Sequence, residues 1–132
     1  MTKCGNVDQL LQQLTEKARP VSETEKFSKH RGIYAFFLSQ GCLHIGEQKI
    51  TPGRDKPLYI GKTESSQKAR DLGQHLADGG TKHSTLRRSL GALLREQLKL
   101  KPKPRSTTET SPRRYTNFKF DAKGEAKLTK WM

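Results

Sequence analysis

Acidic residues are scarce in this chain. Asp and Glu number 13 against 26 Lys and Arg, leaving a formal net charge of +13. Such an excess repels itself in a folded protein, so it implies a polyanionic partner, nucleic acid ahead of an anionic membrane surface. Cysteine is nearly absent: Cys4 and Cys42 are too few for a disulfide framework and have no metal-type spacing, so both read as reduced thiols. No stretch approaches the roughly 20 apolar residues that span a bilayer. The N-terminus lacks the apolar core of a signal peptide, which makes the cytoplasm the expected location. Apolar residues are only 31% of the sequence, enough in 132 residues for one domain with a modest core. Nothing resembles a base-reading helix or a zinc finger.

What is present divides into readable segments. In 6–19, Val7, Leu10, Leu11 and Leu14 recur at helical spacing after Asn6, a plausible N-cap, and before Pro20, a stop. This first helix is expected to pack on a sheet. Residues 21–30 read as a polar lead-in loop, so the chain is expected to comprise a 1–30 helix and lead-in followed by a 31–132 domain. Strands are expected at 31–38 (RGIYAFFL) and 57–61 (PLYIG). Between them, Leu43, Ile45 and Ile50 suggest a small extra hairpin.

Ser65 or Ser66 is expected to cap a helix running to about Asp78 and ending at Gly79-Gly80. Its apolar stripe is Ala69, Leu72 and Leu76, with Arg70 near the first turn and His75 on the opposite flank. Ser84 is expected to cap a third helix to about Leu98, with Leu86, Leu90, Leu93, Leu94 and Leu98 on its apolar face and Arg87, Arg88 and Arg95 pointing outward. Residues 99–114 are rich in proline, hydroxyl and basic side chains and read as an exposed loop. Tyr115–Phe120 alternates as a third strand, and a last helix beginning near Glu125 is cut off at Met132. The fold class is therefore α/β (α+β), a small central antiparallel three-stranded sheet flanked by helices.

Two neighbouring antiparallel strands would bring Tyr34 and Tyr59 together, followed by Lys62, Arg70 and His75. Two phenols, an amine, a guanidinium and an imidazole suit a phosphodiester. Tyrosine is also an ordinary strand residue. Gly32-Ile33-Tyr34 and Tyr59-Ile60-Gly61-Lys62-Thr63, with Arg70 and His75 after them, resemble the GIY-YIG nucleases. The stretch Ser84–Ala92 resembles the second helix of one bacterial branch.

The resemblance implies a metal-dependent endonuclease domain acting on DNA, with Tyr34, Tyr59, Lys62, Arg70 and His75 as catalytic residues. By it, Tyr34 helps activate the attacking water, Tyr59 positions the water or a phosphate oxygen, and Arg70 holds the scissile phosphate. A free tyrosine has a pKa of about 10, so Tyr34 would need nearby positive charge, which Lys62 and Arg70 are expected to supply. His75 lies five residues after Arg70 where the family has four, and His83 is a substitute. One divalent ion, Mg2+ or Mn2+, is implied. Its glutamate is either Glu125 or one beyond Met132, or the chain does not cleave. Arg87, Arg88, Lys101, Lys103, Arg105, Arg113 and Arg114 are expected to bind backbone phosphates irrespective of sequence. The alternative is a catalytically impaired nucleic-acid-binding module of the same fold; a basic structural domain is a third reading.

Overall fold

A computed structural model describes residues 7–21, 23, 28–53, 56–66, 75–77, 79–108 and 110–132. The chain divides into two compact units, residues 1–67 and 68–132.

The first unit begins with α1 (Val7–Glu16). Its apolar stripe is real, yet none of its residues is buried, and Val7 and Leu10 face solvent. Leu11 and Leu14, on the same stripe, are half-buried. The proposed cap, Asn6, lies outside the described residues. Next come β1 (Gly32–Phe36), β2 (Leu43–Ile45), β3 (Gln48–Ile50) and β4 (Tyr59–Thr63). β1 pairs antiparallel with β4, and Tyr34 stands opposite Gly61. β2 and β3 form the small hairpin that the apolar residues suggested. Its two-residue loop starts at Gly46, whose φ of 59° suits the first position of a tight hairpin turn. Cys42 is a free, half-buried thiol.

In the second unit a 3-10 turn, Gly80–His83, leads into α2 (Thr85–Leu93) and α3 (Arg95–Leu98). Ser84 caps α2 as expected, accepting a hydrogen bond from the Arg87 backbone N–H at 3.0 Å. The single long helix expected here is broken at Leu94, and Lys99 closes α3 in the left-handed region at φ 52°. A short turn, α4 (Arg113–Thr116), precedes α5 (Ala122–Trp131). Asp121 caps α5 through the Gly124 N–H at 2.7 Å, so this helix starts earlier than the apolar pattern indicated.

The described sheets have two strands each, and the expected three-stranded sheet is not among them. Tyr115–Phe120, read as the third strand, instead begins inside α4 and makes one isolated bridge, Lys103 to Lys119. Alternation of aromatic and polar residues specifies a strand only where a partner edge is available. The helix expected from Ser65 or Ser66 to Asp78 falls largely at 67–74, outside the described residues.

Among the described residues of this unit, Leu86, Leu90, Leu94, Leu100, Phe120 and Leu128 are the buried apolar side chains. Gly91 lets the Phe120 ring close on α2, since a Cβ there would lie 2.5 Å from its Cε2. No described helix is long and apolar enough to cross a membrane.

Candidate active site

Strand alternation puts Tyr34 and Phe36 on one face of β1, and the register with β4 adds Tyr59, Gly61 and Thr63 to that face. Tyr34 is only 7% exposed, and its ring packs edge-on against Phe36 at 5.9 Å between centroids. The Tyr59 ring lies 6.3 Å from that of Tyr34, tilted by 32°. Gly61 makes the arrangement possible. A Cβ at that position would meet Tyr34 Cζ at 2.4 Å and its hydroxyl oxygen at 2.5 Å. The glycine of the second tripeptide thus provides the space in which the tyrosine of the first lies flat across the ribbon. The two expected phenols are brought together.

Lys62 is not brought to them. It stands opposite Ile33, on the other face of the ribbon, and its ammonium pairs with Glu64 at 3.2 Å in solvent. Strand alternation thus places the ammonium expected beside Tyr34 on the opposite face from it. Arg70 lies outside the described residues.

His75 belongs to the second unit and is fully buried. Its Nδ1 is 2.6 Å from Ser84 Oγ, the same hydroxyl that caps α2. His83 is exposed on the 3-10 turn.

Arg87 departs most from expectation. Read as an outward-facing phosphate contact, it is completely buried, and its Nη2 forms an ion pair with Glu125 Oε2 at 2.8 Å. Its Nη2 also donates to the Glu125 carbonyl at 3.2 Å, and its Nε to Thr81 Oγ1 at 3.2 Å. Nη1 donates to the His75 carbonyl at 3.2 Å and to Thr129 Oγ1 at 3.0 Å. One guanidinium therefore ties the residue-75 backbone, the 3-10 turn and α5 to α2. The signal was in the sequence: Arg87 precedes Leu90, Gly91 and Leu94 by three, four and seven residues, which puts it on the apolar stripe itself. A buried arginine needs a carboxylate, and Glu125 supplies it.

Arg88 spends its guanidinium on the carbonyls of Thr81 and Lys82, at 3.1 and 3.0 Å, and is half-buried. Lys101, Lys103 and Arg113 are exposed, as a phosphate-binding role requires. Arg105 and Arg114 are half-buried, and the Arg114 guanidinium lies 4.7 Å from the centroid of the Tyr115 ring.

Glu125 is 3% exposed. Its Oε2 accepts from Thr81 Oγ1 at 2.6 Å and from Arg87, and its Oε1 accepts from the Phe120 backbone N–H at 3.1 Å. That fills three of the roughly four acceptor positions of a carboxylate. A dication there would also sit beside a guanidinium. The residues around Glu125 do not fit a metal ion, and among the described residues no group of three or more His, Cys, Asp or Glu side chains does.

The family model for the GIY-YIG catalytic domain matches residues 32–132 of the chain. That span contains both tripeptides, the buried Arg87–Glu125 pair and the last helix. No curated protein and no solved structure gives a match.

Proposed function

Because the chain belongs to the GIY-YIG catalytic domain family, whose activity is nucleolytic, we propose that it is an endonuclease hydrolysing phosphodiester bonds of DNA. The observation that carries this reading is the packed tyrosine pair, two phenols 6.3 Å apart on one face of the β1–β4 ribbon over a glycine with no room for a side chain. Two phenol rings packed together on one face, their centroids 6.3 Å apart, suit the handling of a nucleophilic water and a phosphate oxygen. Tyr34 is held between Phe36 and Gly61, so its hydroxyl is pre-oriented. Tyr34 takes the water and Tyr59 orients it or the phosphate. Arg70, with its planar fork, suits the scissile phosphate. His75 acts as a positioning residue through Ser84 rather than by touching substrate. The net charge of +13 holds the polyanion with little regard to sequence.

GIY-YIG nucleases generally use a divalent metal ion. Glu125, the carboxylate implied for it within this chain, already accepts from Thr81, Arg87 and the Phe120 N–H. That same observation favours a second reading, a nucleic-acid-binding module of this fold that no longer cuts. Incubating supercoiled plasmid with the protein and Mg2+ or Mn2+ separates the two. The first reading expects nicks from the wild type and about a hundredfold fewer from Tyr34→Phe, with Arg70→Ala inactive. Intact binding without nicking by the wild type gives the second reading.

A further inference from the structure

A recess of about 360 Å³ opens on the second unit, at the lower end of the roughly 300–1,000 Å³ span of small-ligand pockets. Its lining includes the flat faces of Pro102, Pro104, Phe118 and Tyr115. Phe120, also in the lining, is buried and locked against Gly91, with the Phe118 ring edge-on to it at 5.5 Å. Tyr115 stays 59% exposed even with the Arg114 guanidinium over its ring. Two exposed cations, Arg95 and Lys103, also line it. Planar apolar walls beside positive charge fit a ligand that joins a flat π-system to an anion.

The approach to the recess is a stiff basic track. In Lys101-Pro102-Lys103-Pro104 each lysine precedes a proline, which holds it in the extended region. The Lys103 backbone is further pinned by reciprocal hydrogen bonds with Lys119, at 2.7 and 3.0 Å. Lys99 and Lys101 line a second recess of about 200 Å³ with Lys123 and Lys127. Asp121 lines it too, its carboxylate already accepting from the Gly124 N–H. In an extended segment every second residue recurs at about 6.6 Å, close to the spacing of successive phosphates in a stretched single strand.

We propose that the Pro102–Tyr115–Phe118 recess receives an unpaired base of a nucleic-acid substrate, with Lys101 and Lys103 holding the flanking phosphates. Nothing in the cleavage chemistry requires such a subsite. It rests on the nucleic-acid reading above and narrows it to substrates with an unstacked nucleotide, such as a bulge, a gap or a hairpin loop. A base stacked in a continuous duplex does not reach the recess. Stacking on aromatic faces tolerates any base, in keeping with a chain that carries no base-reading helix.

Fluorescence anisotropy with the full chain, in EDTA so that no strand is cut, tests the proposal. Three probes share one sequence: a continuous duplex, the duplex with a one-nucleotide bulge, and the same bulge lacking its base. The wild type is expected to bind the bulge about tenfold tighter than the other two. Tyr115→Ala, at an exposed position, is expected to abolish that preference while leaving duplex affinity unchanged, and Tyr115→Trp to keep it. A 2-aminopurine in the bulge is expected to lose fluorescence on binding.

Equal binding of all three probes by the wild type overturns the subsite and leaves the nucleic-acid reading standing. Failure to bind any probe overturns both. A bulge preference that persists without the base reports DNA bending and overturns the subsite. So does an acidic aromatic peptide whose binding depends on Tyr115 while the probes bind alike, since the recess then serves a protein partner.

Discussion

The ring of Tyr34 occupies the space that a side chain at Gly61 would need, with its hydroxyl oxygen 2.5 Å from the missing Cβ. The two residues are Cα partners across the β1–β4 ladder. The signature residues of the two tripeptides are therefore halves of one contact: the second supplies a vacancy, the first a phenol to fill it. Gly61→Ala forces that phenol out of place in a site where its ring already packs against Phe36 and Tyr59.

Gly61→Ala is accordingly expected to cost about 1–3 kcal/mol of stability through overpacking, and to lose nicking activity as fully as Tyr34→Phe. Urea denaturation checks the first and a plasmid nicking assay the second. The double variant Tyr34→Ala/Gly61→Ala is expected to be more stable than the sum of the singles indicates, because removing the ring removes the clash. Additive losses would show that the alanine methyl is accommodated without moving Tyr34.

The Arg87–Glu125 pair predicts a different pattern. Removing either partner leaves the other charged and buried, at a cost of about 3–5 kcal/mol. Arg87→Met and Glu125→Leu are each expected to destabilise by that order. Their combination is expected to recover about 2–3 kcal/mol of the summed loss, since two apolar residues need no counter-ion. Thermal and urea unfolding of the four proteins in this cycle measures the coupling. A coupling near zero would mean that the guanidinium is held by its carbonyl and hydroxyl partners instead.

The parts of this chain legible in its sequence are those fixed by local chemistry. The strands at 32–36 and 59–63, the hairpin at 43–50 and the Ser84 cap each follow from periodicity, turn residues or an N-cap a few residues away. The parts that were not legible depend on partners distant in sequence. Arg87 sits on the apolar stripe of its own helix, but the carboxylate that lets it be buried there lies 38 residues on. Tyr115–Phe120 read as a strand, but its backbone finds a single bridge instead of an edge. The face that Lys62 takes follows from a simpler rule: adjacent strand residues face opposite ways, and Gly61 already stands on the tyrosine face.

Burial separates the basic residues into two classes with different salt behaviour. Lys101, Lys103 and Arg113 are exposed. Neutralising any one that contacts a phosphate is expected to lower the slope of log affinity against log salt by about 0.9 for duplex DNA. Arg87 is buried and paired, so Arg87→Met/Glu125→Leu is expected to leave the slope unchanged. Anisotropy titrations across a salt series decide this. A slope change for the buried pair equal to that for Lys103→Gln would place Arg87 at the nucleic acid after all.

Ser84 joins two roles in one hydroxyl, accepting from the Arg87 N–H at the start of α2 and meeting His75 Nδ1 at 2.6 Å. Loss of an N-cap costs about 0.5–2 kcal/mol, and loss of a buried hydrogen-bond partner about 1–3 kcal/mol. Ser84→Ala is therefore expected to destabilise by about 2–4 kcal/mol, more than a cap alone, whereas Ser84→Thr keeps the hydroxyl and is expected to lose less than about 1 kcal/mol. The same comparison tests His75 as a positioning residue. If His75 acts through Ser84, His75→Ala and Ser84→Ala reduce nicking to a similar extent, and the double variant falls no further than either single. If His75→Ala removes far more activity than Ser84→Ala at equal folded fraction, the imidazole touches the substrate directly, and the buried arrangement must open for it to do so.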